Sequence, residues 1–465
     1  KWHIMNNIDL EQALEEASIV IPADEIIARV RAIAAAPVSV IDGLALDLVI
    51  PDIDAAANTR IKELITLMLN ETIDQYDREN EKEHALARIG ALRAELAVRG
   101  LDGFVVPMTD EHQNEFVPRH AQRLSWLSGF TGSAGTIVVL VDKAALFIDG
   151  RYTLQAQEQV DLNVFETSGH DKISDWFKDN LSAGQKLGYD PWLHSEAGVQ
   201  ALRKAVETVE SVLTPVPNNP IDVVWLDRPA VPLSRIVPHD MMYAGEASEA
   251  KRIRIAKVLE EEGAESLVLS APDSVAWLFN VRGGDVARTP LPLAFATLGS
   301  DGKAELFVDP RKCESRLHRH LGPDVAVKSI ETFGARLTQF GKNKVKVLAD
   351  TKLSPSQIIE SVETAGAEII RRPDPCQKPK AIKNDVELDG ARAAHRRDGV
   401  ALVKFLEWLD ENSPGGEVDE LHAVEILRGF RQENDLFRDL SFDTIAGSGP
   451  NGAVVHYRVD RASNR

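Results

Sequence analysis

Cysteine is nearly missing from this chain of 465 residues: Cys313 and Cys376 are the only two. Two thiols exclude a disulfide framework and a cysteine-rich zinc site, and they fit a reducing, cytoplasmic setting. Long apolar runs are missing as well. No stretch approaches the roughly 18–20 residues that a bilayer-spanning helix needs, so a membrane protein is excluded. Positive charge is also in short supply. With 53 Lys and Arg against 72 Asp and Glu, the formal charge is −19, a field that repels nucleic acid and anionic lipid and argues against either as a main partner. The first ten residues lack the basic-then-apolar order of a secretory signal, so none is expected. What is present, 44% hydrophobic and 27% charged residues, is the make-up of a folded globular chain. At this length it needs two to four domains.

Residues 1–83 stand apart, with 17 acids, 7 bases and only Trp2 and Tyr76 as aromatics. Residues 9–34 and 56–75 read as helices there, and no chemical motif is evident. From His84 the pattern becomes α/β. Leu86, Ile89, Leu92 and Leu96 have helical spacing with a stop at Gly100, and Gly103–Pro107 reads as a buried strand. Two more strands, Thr136–Val141 and Ala145–Ile148, follow around a tight turn. A similar order recurs downstream: a charged helix over 248–262 stopping at Gly263, then a strand Ser266–Leu269, which suggests a duplicated α/β domain. Between the copies, Pro215, Pro217, Pro220, Pro229, Pro232 and Pro238 imply an extended connector without regular helix. After a second junction near Arg371–Cys376, helices are expected over 385–411 and Glu417–Arg431. Two strands, Ser441–Ile445 and Ala453–Tyr457, are expected after them. The expected divisions are 1–83, 84–218, 219–376 and 377–465.

The candidate chemistry is sparse. The loop Gly129-Phe-Thr-Gly-Ser-Ala-Gly135 is followed by a strand rather than a helix and carries no Lys-Ser/Thr pair. It therefore reads as a close-approach turn rather than a phosphate cradle. His318 and His320 fall on different helix faces with no carboxylate or thiol partner nearby. Cys376 has no evident base beside it, and His395 sits among charged residues on a solvated face. His456 is different, because it lies in the apolar stretch Ala453-Val-Val-His-Tyr457 just after a glycine-rich turn. On pattern alone a core histidine is the commoner reading, and a histidine that donates to a developing oxyanion is the other.

Six stretches taken together resemble a known family. They are Arg123-Leu-Ser-Trp-Leu-Ser-Gly-Phe-Thr-Gly-Ser-Ala-Gly135, Phe147-Ile-Asp-Gly-Arg-Tyr152, Asp222-Val-Val-Trp-Leu-Asp-Arg-Pro229, Asp273-Ser-Val-Ala-Trp-Leu-Phe-Asn-Val-Arg-Gly-Gly-Asp285, Leu440-Ser-Phe-Asp-Thr-Ile445 and Pro450-Asn-Gly-Ala-Val-Val-His-Tyr-Arg458. In this order they resemble the Xaa-Pro aminopeptidases (aminopeptidase P) of three-domain type, pita-bread metallopeptidases related to prolidase and creatinase. The fold this implies is α/β and α+β. Two creatinase-N-like α/β domains would be followed by an incomplete pita-bread catalytic domain, with a helical N-terminal extension. The activity implied is release of the first residue from peptides with proline second, by a hydroxide held between two divalent ions, usually manganese. The resemblance gives His456 the role of hydrogen-bonding substrate or intermediate. It also gives Arg123 a weaker role in binding the substrate end or a second subunit, and it implies a homodimer.

The family's metal ligands, two aspartates, a histidine and two glutamates, all follow the His-Tyr-Arg stretch. Here only seven residues follow Arg458. The expectation is therefore a chain cut before its ligands, binding no metal and inactive by itself, with Asp443 and Asp460 not substituting for the ligands. Two other functions compete: a non-catalytic creatinase-like module for dimerisation or protein binding, and a metal-free amidinohydrolase. The second is disfavoured by the Pro450–His456 stretch.

Overall fold

The computed structural model describes residues 84–460 and 463–465. The acidic segment 1–83, with its expected helices, lies outside them. A helix over 84–98 opens the described chain, and its buried stripe is Ala85, Ile89, Leu92 and Leu96. Leu86, expected on that stripe, is 66% exposed. The i, i+4, i+7, i+11 set starting at Ala85 is the one that faces the sheet, which puts Leu86 about 100° away from it. The helix ends where expected. Gly100 takes φ 65°, and the Leu101 amide returns to the Leu96 carbonyl at 3.0 Å, closing the last turn.

The first lobe is a six-stranded mixed sheet in the order β4-β3-β2-β1-β5-β6. Its strands are β1 (Gly103–Pro107), β2 (Gly135–Leu140), β3 (Ala144–Ile148), β4 (Glu166–Gly169), β5 (Lys186–Tyr189) and β6 (Val212–Pro215). The hairpin β2–β3 falls within a residue of its expected bounds. Alternate residues feed two cores: Phe104, Val106, Ile137, Val139, Leu146 and Ile148 pack toward the 84–98 helix. Val105, Val138, Leu140 and Phe147 pack on the other face against Trp176, Phe177, Val199 and Val206. Both faces are covered, so these strands read as unbroken apolar runs.

The connector is less extended than its prolines suggest. Pro220 starts a short helix, Pro220–Val224, because Asn219 accepts the Ile221 amide at 2.9 Å and a proline at the first helical position loses no hydrogen bond. Beyond it, β7 (Val237–Pro238) pairs with β9 (Val281–Arg282) as a small separate ribbon, while β8 (Ser266–Leu269), between them in the chain, starts another sheet. The strands β10 (Phe295–Gly299), β11 (Ala304–Val308), β12 (Val325–Ser329), β13 (Lys346–Ala349) and β14 (Glu368–Arg371) then complete a second six-stranded sheet. Its order, β12-β11-β10-β8-β13-β14, repeats that of the first, with the same parallel and antiparallel pairs. This agrees with the duplication read from the sequence.

The lobes meet through equivalent loops after β5 and β13. The Ala197 amide donates to the Thr351 carbonyl (3.0 Å), and the Gln357 amide donates to the Pro191 carbonyl (3.0 Å). One pair maps onto the other by a two-fold exchange. Trp192 packs on Phe295 and Phe333, and Arg371 makes a two-pronged pair with Glu196 across the seam. A seam built from backbone hydrogen bonds, aromatics and a bidentate ion pair fixes the angle between the lobes.

After β14 the chain is helical. The helix Asp385–Asn412 starts at a capping box of Asn384 and Glu387 and lies against the helix Glu420–Gln432, with Arg431 paired to Asp398. Val400, Val403 and Leu406 on the long helix are exposed. The two strands expected after it do not form: residues 441–445 are irregular, and residues 449–453 make a 3-10 turn. Their apolar and β-branched residues suit a strand, but a strand is stable only beside a partner, and no strand follows β14 among the described residues.

Candidate functional site

The irregular tail is organised by one carboxylate. Glu420, in the first turn of its helix, is buried. It accepts from the Ser448 amide, from Asn451 Nδ2 at 3.0 Å, from the Tyr457 hydroxyl at 2.8 Å and from the Arg465 amide at 3.3 Å. Four donors converge on one charged group and replace the missing ladder. Burial, helped by Glu420, pushes the Tyr457 phenol up to about 12, so it remains a donor at every physiological pH. This anchoring fixes the turn Gly449–Ala453 and leaves His456, at φ 57°, exposed.

His456 lies outside any strand and is exposed, so it is not the core histidine of the commoner reading. Its ring stacks on Tyr152 with centroids 5.9 Å apart, and its Nε2 lies 3.3 Å from Arg151 Nη1. Both contacts come from the first lobe. There Asp149 caps a 3-10 turn, accepting the Arg151 amide at 2.9 Å and Arg151 Nε at 3.0 Å. This pairing keeps the Asp149 carboxyl below its ordinary range, with the Arg151 side chain as the main cause. Tyr152 is buried and lies edge-on to Phe130. Its hydroxyl is 2.8 Å from Ser133 Oγ, and Ser133 donates in turn to Glu115 at 2.9 Å. Because the serine proton is already committed, Tyr152 is the donor in that contact. The glycine loop makes this possible: a Cβ on Gly132 would run into the Phe130 ring and lie 2.8 Å from Tyr152 Cδ1. The close-approach reading of the loop holds, and what it approaches is the aromatic pair beneath His456.

The second lobe reaches the same tail through Arg288, whose guanidinium meets Asp443 (2.6 Å) and Asp439 (3.0 Å); Arg458 also pairs with Asp443 at 2.9 Å. Asp443 is thus held between two arginines.

Arg123 lies elsewhere, buried in the helix Arg123–Ser128. It pairs two-pronged with Asp222 (2.7 and 2.9 Å) and reaches Glu111 at 3.0 Å; Asp222 also holds Arg228 at 2.6 Å. Burial works against the guanidinium charge, but Asp222 and Glu111 outweigh it and raise its pKa. Three residues along each segment, Trp126 and Trp225 stack at 5.2 Å. The stretches 123–126 and 222–225 therefore lock the connector onto the first lobe, well suited to a structural role for Arg123. Its neighbour His120 is pushed down to about 4, mainly by burial.

Of the other candidates, His318 and His395 are exposed, and Cys376 is buried with its thiol pKa raised by that burial. His320 is not the solvated residue its pattern suggests: it is half-buried, and its Nε2 bonds the Phe279 carbonyl at 3.0 Å. Among the described residues no three His, Cys, Asp or Glu side chains are grouped to hold a metal ion. The described residues therefore do not fit a two-metal centre. Among the described residues no helix is long and apolar enough to cross a membrane. Sequence reasoning missed Arg151, Glu420 and Arg288 as parts of this site. Only Arg151 carried a signal, through its place in the Phe147–Tyr152 stretch.

Comparison with known proteins places these pieces in order. Models of the creatinase/prolidase N-terminal domain match residues 88–219 and 227–387, and that of metallopeptidase family M24 matches residues 389–464. A protein of Aspergillus flavus named Probable Xaa-Pro aminopeptidase P is 35% identical over 407 residues, covering 84% of this chain and 62% of that protein. A protein of the same name from Neosartorya fischeri is 34% identical over 412 residues, covering 85% and 62%. The chain thus spans about three fifths of the length of these relatives. The crystal structure of X-prolyl aminopeptidase from Caenorhabditis elegans, described as a cytosolic enzyme with a di-nuclear active site, superposes with a TM-score of 0.77. It is 26% identical, and the match covers 82% of this chain and 65% of that one.

Proposed function

This chain belongs to the metallopeptidase family in which creatinase/prolidase N-terminal domains precede an M24 peptidase domain, and from that membership we propose that it serves an Xaa-Pro aminopeptidase. The reaction is removal of the first residue from peptides whose second residue is proline. The proline nitrogen carries no hydrogen and its ring fixes the backbone, which defeats general aminopeptidases and requires a dedicated site. The observation that carries the reading is the placement of His456: exposed, anchored from below by the Glu420 cluster, and backed by Tyr152 and Arg151. A histidine so held can donate a hydrogen bond to the scissile carbonyl as negative charge develops on its oxygen. Family membership and the di-nuclear centre described for the nematode enzyme imply two divalent ions, for which manganese is our choice. When bound, such ions supply an activated water and stabilise the oxyanion.

We further propose a cytoplasmic homodimer, the domain divisions near residues 218 and 376, and no turnover by the 465 residues alone. The test is an assay of the native gene product with manganese on matched peptides carrying proline or alanine at position two. Release of the first residue from the proline peptide alone supports the proposal. Equal rates on both, or none on either, would end it.

A further inference from the structure

The first-lobe turn that meets His456 has a twin. Phe147-Ile-Asp149-Gly-Arg151-Tyr152 ends β3, and Phe307-Val-Asp309-Pro-Arg311-Lys312 ends β11, the equivalent strand of the second lobe. In both, the aspartate caps a 3-10 turn and grips the arginine at the same atoms: amide to Oδ1 at 2.9 Å and Nε to Oδ1 at 3.0 Å. The grip is therefore a property of the turn, and it aims the guanidinium before anything arrives to use it. In the second lobe the arginine is 70% exposed on its side chain. In the first, Nη1 is carried to 3.3 Å from His456 Nε2 while the imidazole lies over Tyr152.

A guanidinium has only donors and keeps its charge at all working pH values. The imidazole nitrogen facing it must therefore be the acceptor, and in the neutral ring the proton must sit on Nδ1. We infer that Arg151, aimed by Asp149, is a positioning residue that selects the Nδ1–H tautomer of His456, so that the nitrogen the ring offers as donor is Nδ1. This rests on the peptidase reading for its purpose, though not for its test. It adds to that reading a contribution from the first creatinase-like lobe: the lobe decides which nitrogen of a histidine in the M24 segment carries the proton. Tyr152 supplies the plane and Arg151 the polarity, and neither touches substrate in this account.

The tautomer can be read directly from long-range nitrogen–proton NMR spectra of protein labelled at histidine, with His456 assigned from the His456→Gln variant. At a pH where the ring is neutral, the wild type, Arg311→Ala and Arg151→Lys should show His456 as Nδ1–H, because lysine also donates. Arg151→Ala should shift the ring toward Nε2–H, the form free histidine favours in water. Nε2–H in the wild type, or an unchanged tautomer in Arg151→Ala, would overturn the inference. A change in Arg311→Ala equal to that in Arg151→Ala would also overturn it, as a non-specific effect. Arg151 is half exposed, so its loss is not expected to unfold the lobe, and an unchanged melting temperature checks this. The outcome does not depend on turnover; failure of the peptidase reading would show separately, as loss of proline selectivity in the peptide assay.

Discussion

The two lobes share one topology and one Asp-Arg turn, yet they use the residue after the arginine differently. In the first it is Tyr152, which builds an aromatic shelf for His456. In the second it is Lys312, which turns inward, is buried, and pairs at 2.8 Å with Asp285, also buried. One copy of a duplicated turn faces a site, and the other has become part of a core. The fold supplies the arginine's aim in both cases. The following side chain and the neighbouring segment decide whether that aim has a consequence.

Four changes separate the copies, in falling order of expected effect. Lys312→Met leaves the Asp285 carboxylate buried without its partner and should cost about 3–5 kcal/mol in urea unfolding. Adding Asp285→Leu should recover part of that, since the buried Leu293 amide that donates to Asp285 at 2.7 Å then loses its acceptor, and neither change should disturb His456. Acidification comes next. His194, on the seam loop after β5, is pushed down to about 4 by burial, with only a hydrogen bond to the Asp190 carbonyl opposing. Between about pH 6.5 and 4 the unfolded chain binds a proton there that the folded chain refuses. Stability is therefore full above pH 6.5 and falls toward pH 4, by on the order of 3 kcal/mol. His194→Gln should flatten that part of the urea-midpoint profile. Tyr152→Phe removes one buried hydroxyl contact and should cost about 1 kcal/mol by thermal unfolding while keeping the stack under His456. Arg311→Ala, on an exposed side chain, should stay within about 0.5 kcal/mol of wild type.

Much of the lobe structure was legible in the sequence because each strand's signal is local and complete. Gly103–Pro107 and the β2–β3 hairpin show apolar runs bounded by turn residues, and Gly100 marks a helix end through its positive φ. Leu86 was misplaced because a three-residue step from Ile89 is compatible with two neighbouring helix faces, and only packing selects one. The tail failed for a different reason. Ser441–Ile445 and Ala453–Tyr457 carry the apolar and β-branched residues of strands, but strand formation depends on a partner elsewhere, and here hydrogen bonds to Glu420 take that role. Likewise His456 stood out by type and place, whereas its contact with Arg151, 305 residues earlier, is made by the tertiary fold alone. Arg123 shows the converse: its motif is conspicuous in sequence, yet its side chain is consumed by Asp222 and Glu111.

The proposed service of His456 to the transition state of Xaa-Pro hydrolysis is tested most directly by steady-state kinetics of His456→Ala in the native gene product with manganese. Loss of a donor to a developing oxyanion should lower kcat by about 100- to 1000-fold and leave KM within a few-fold of wild type. Wild-type kcat, or a loss confined to KM, would contradict the account.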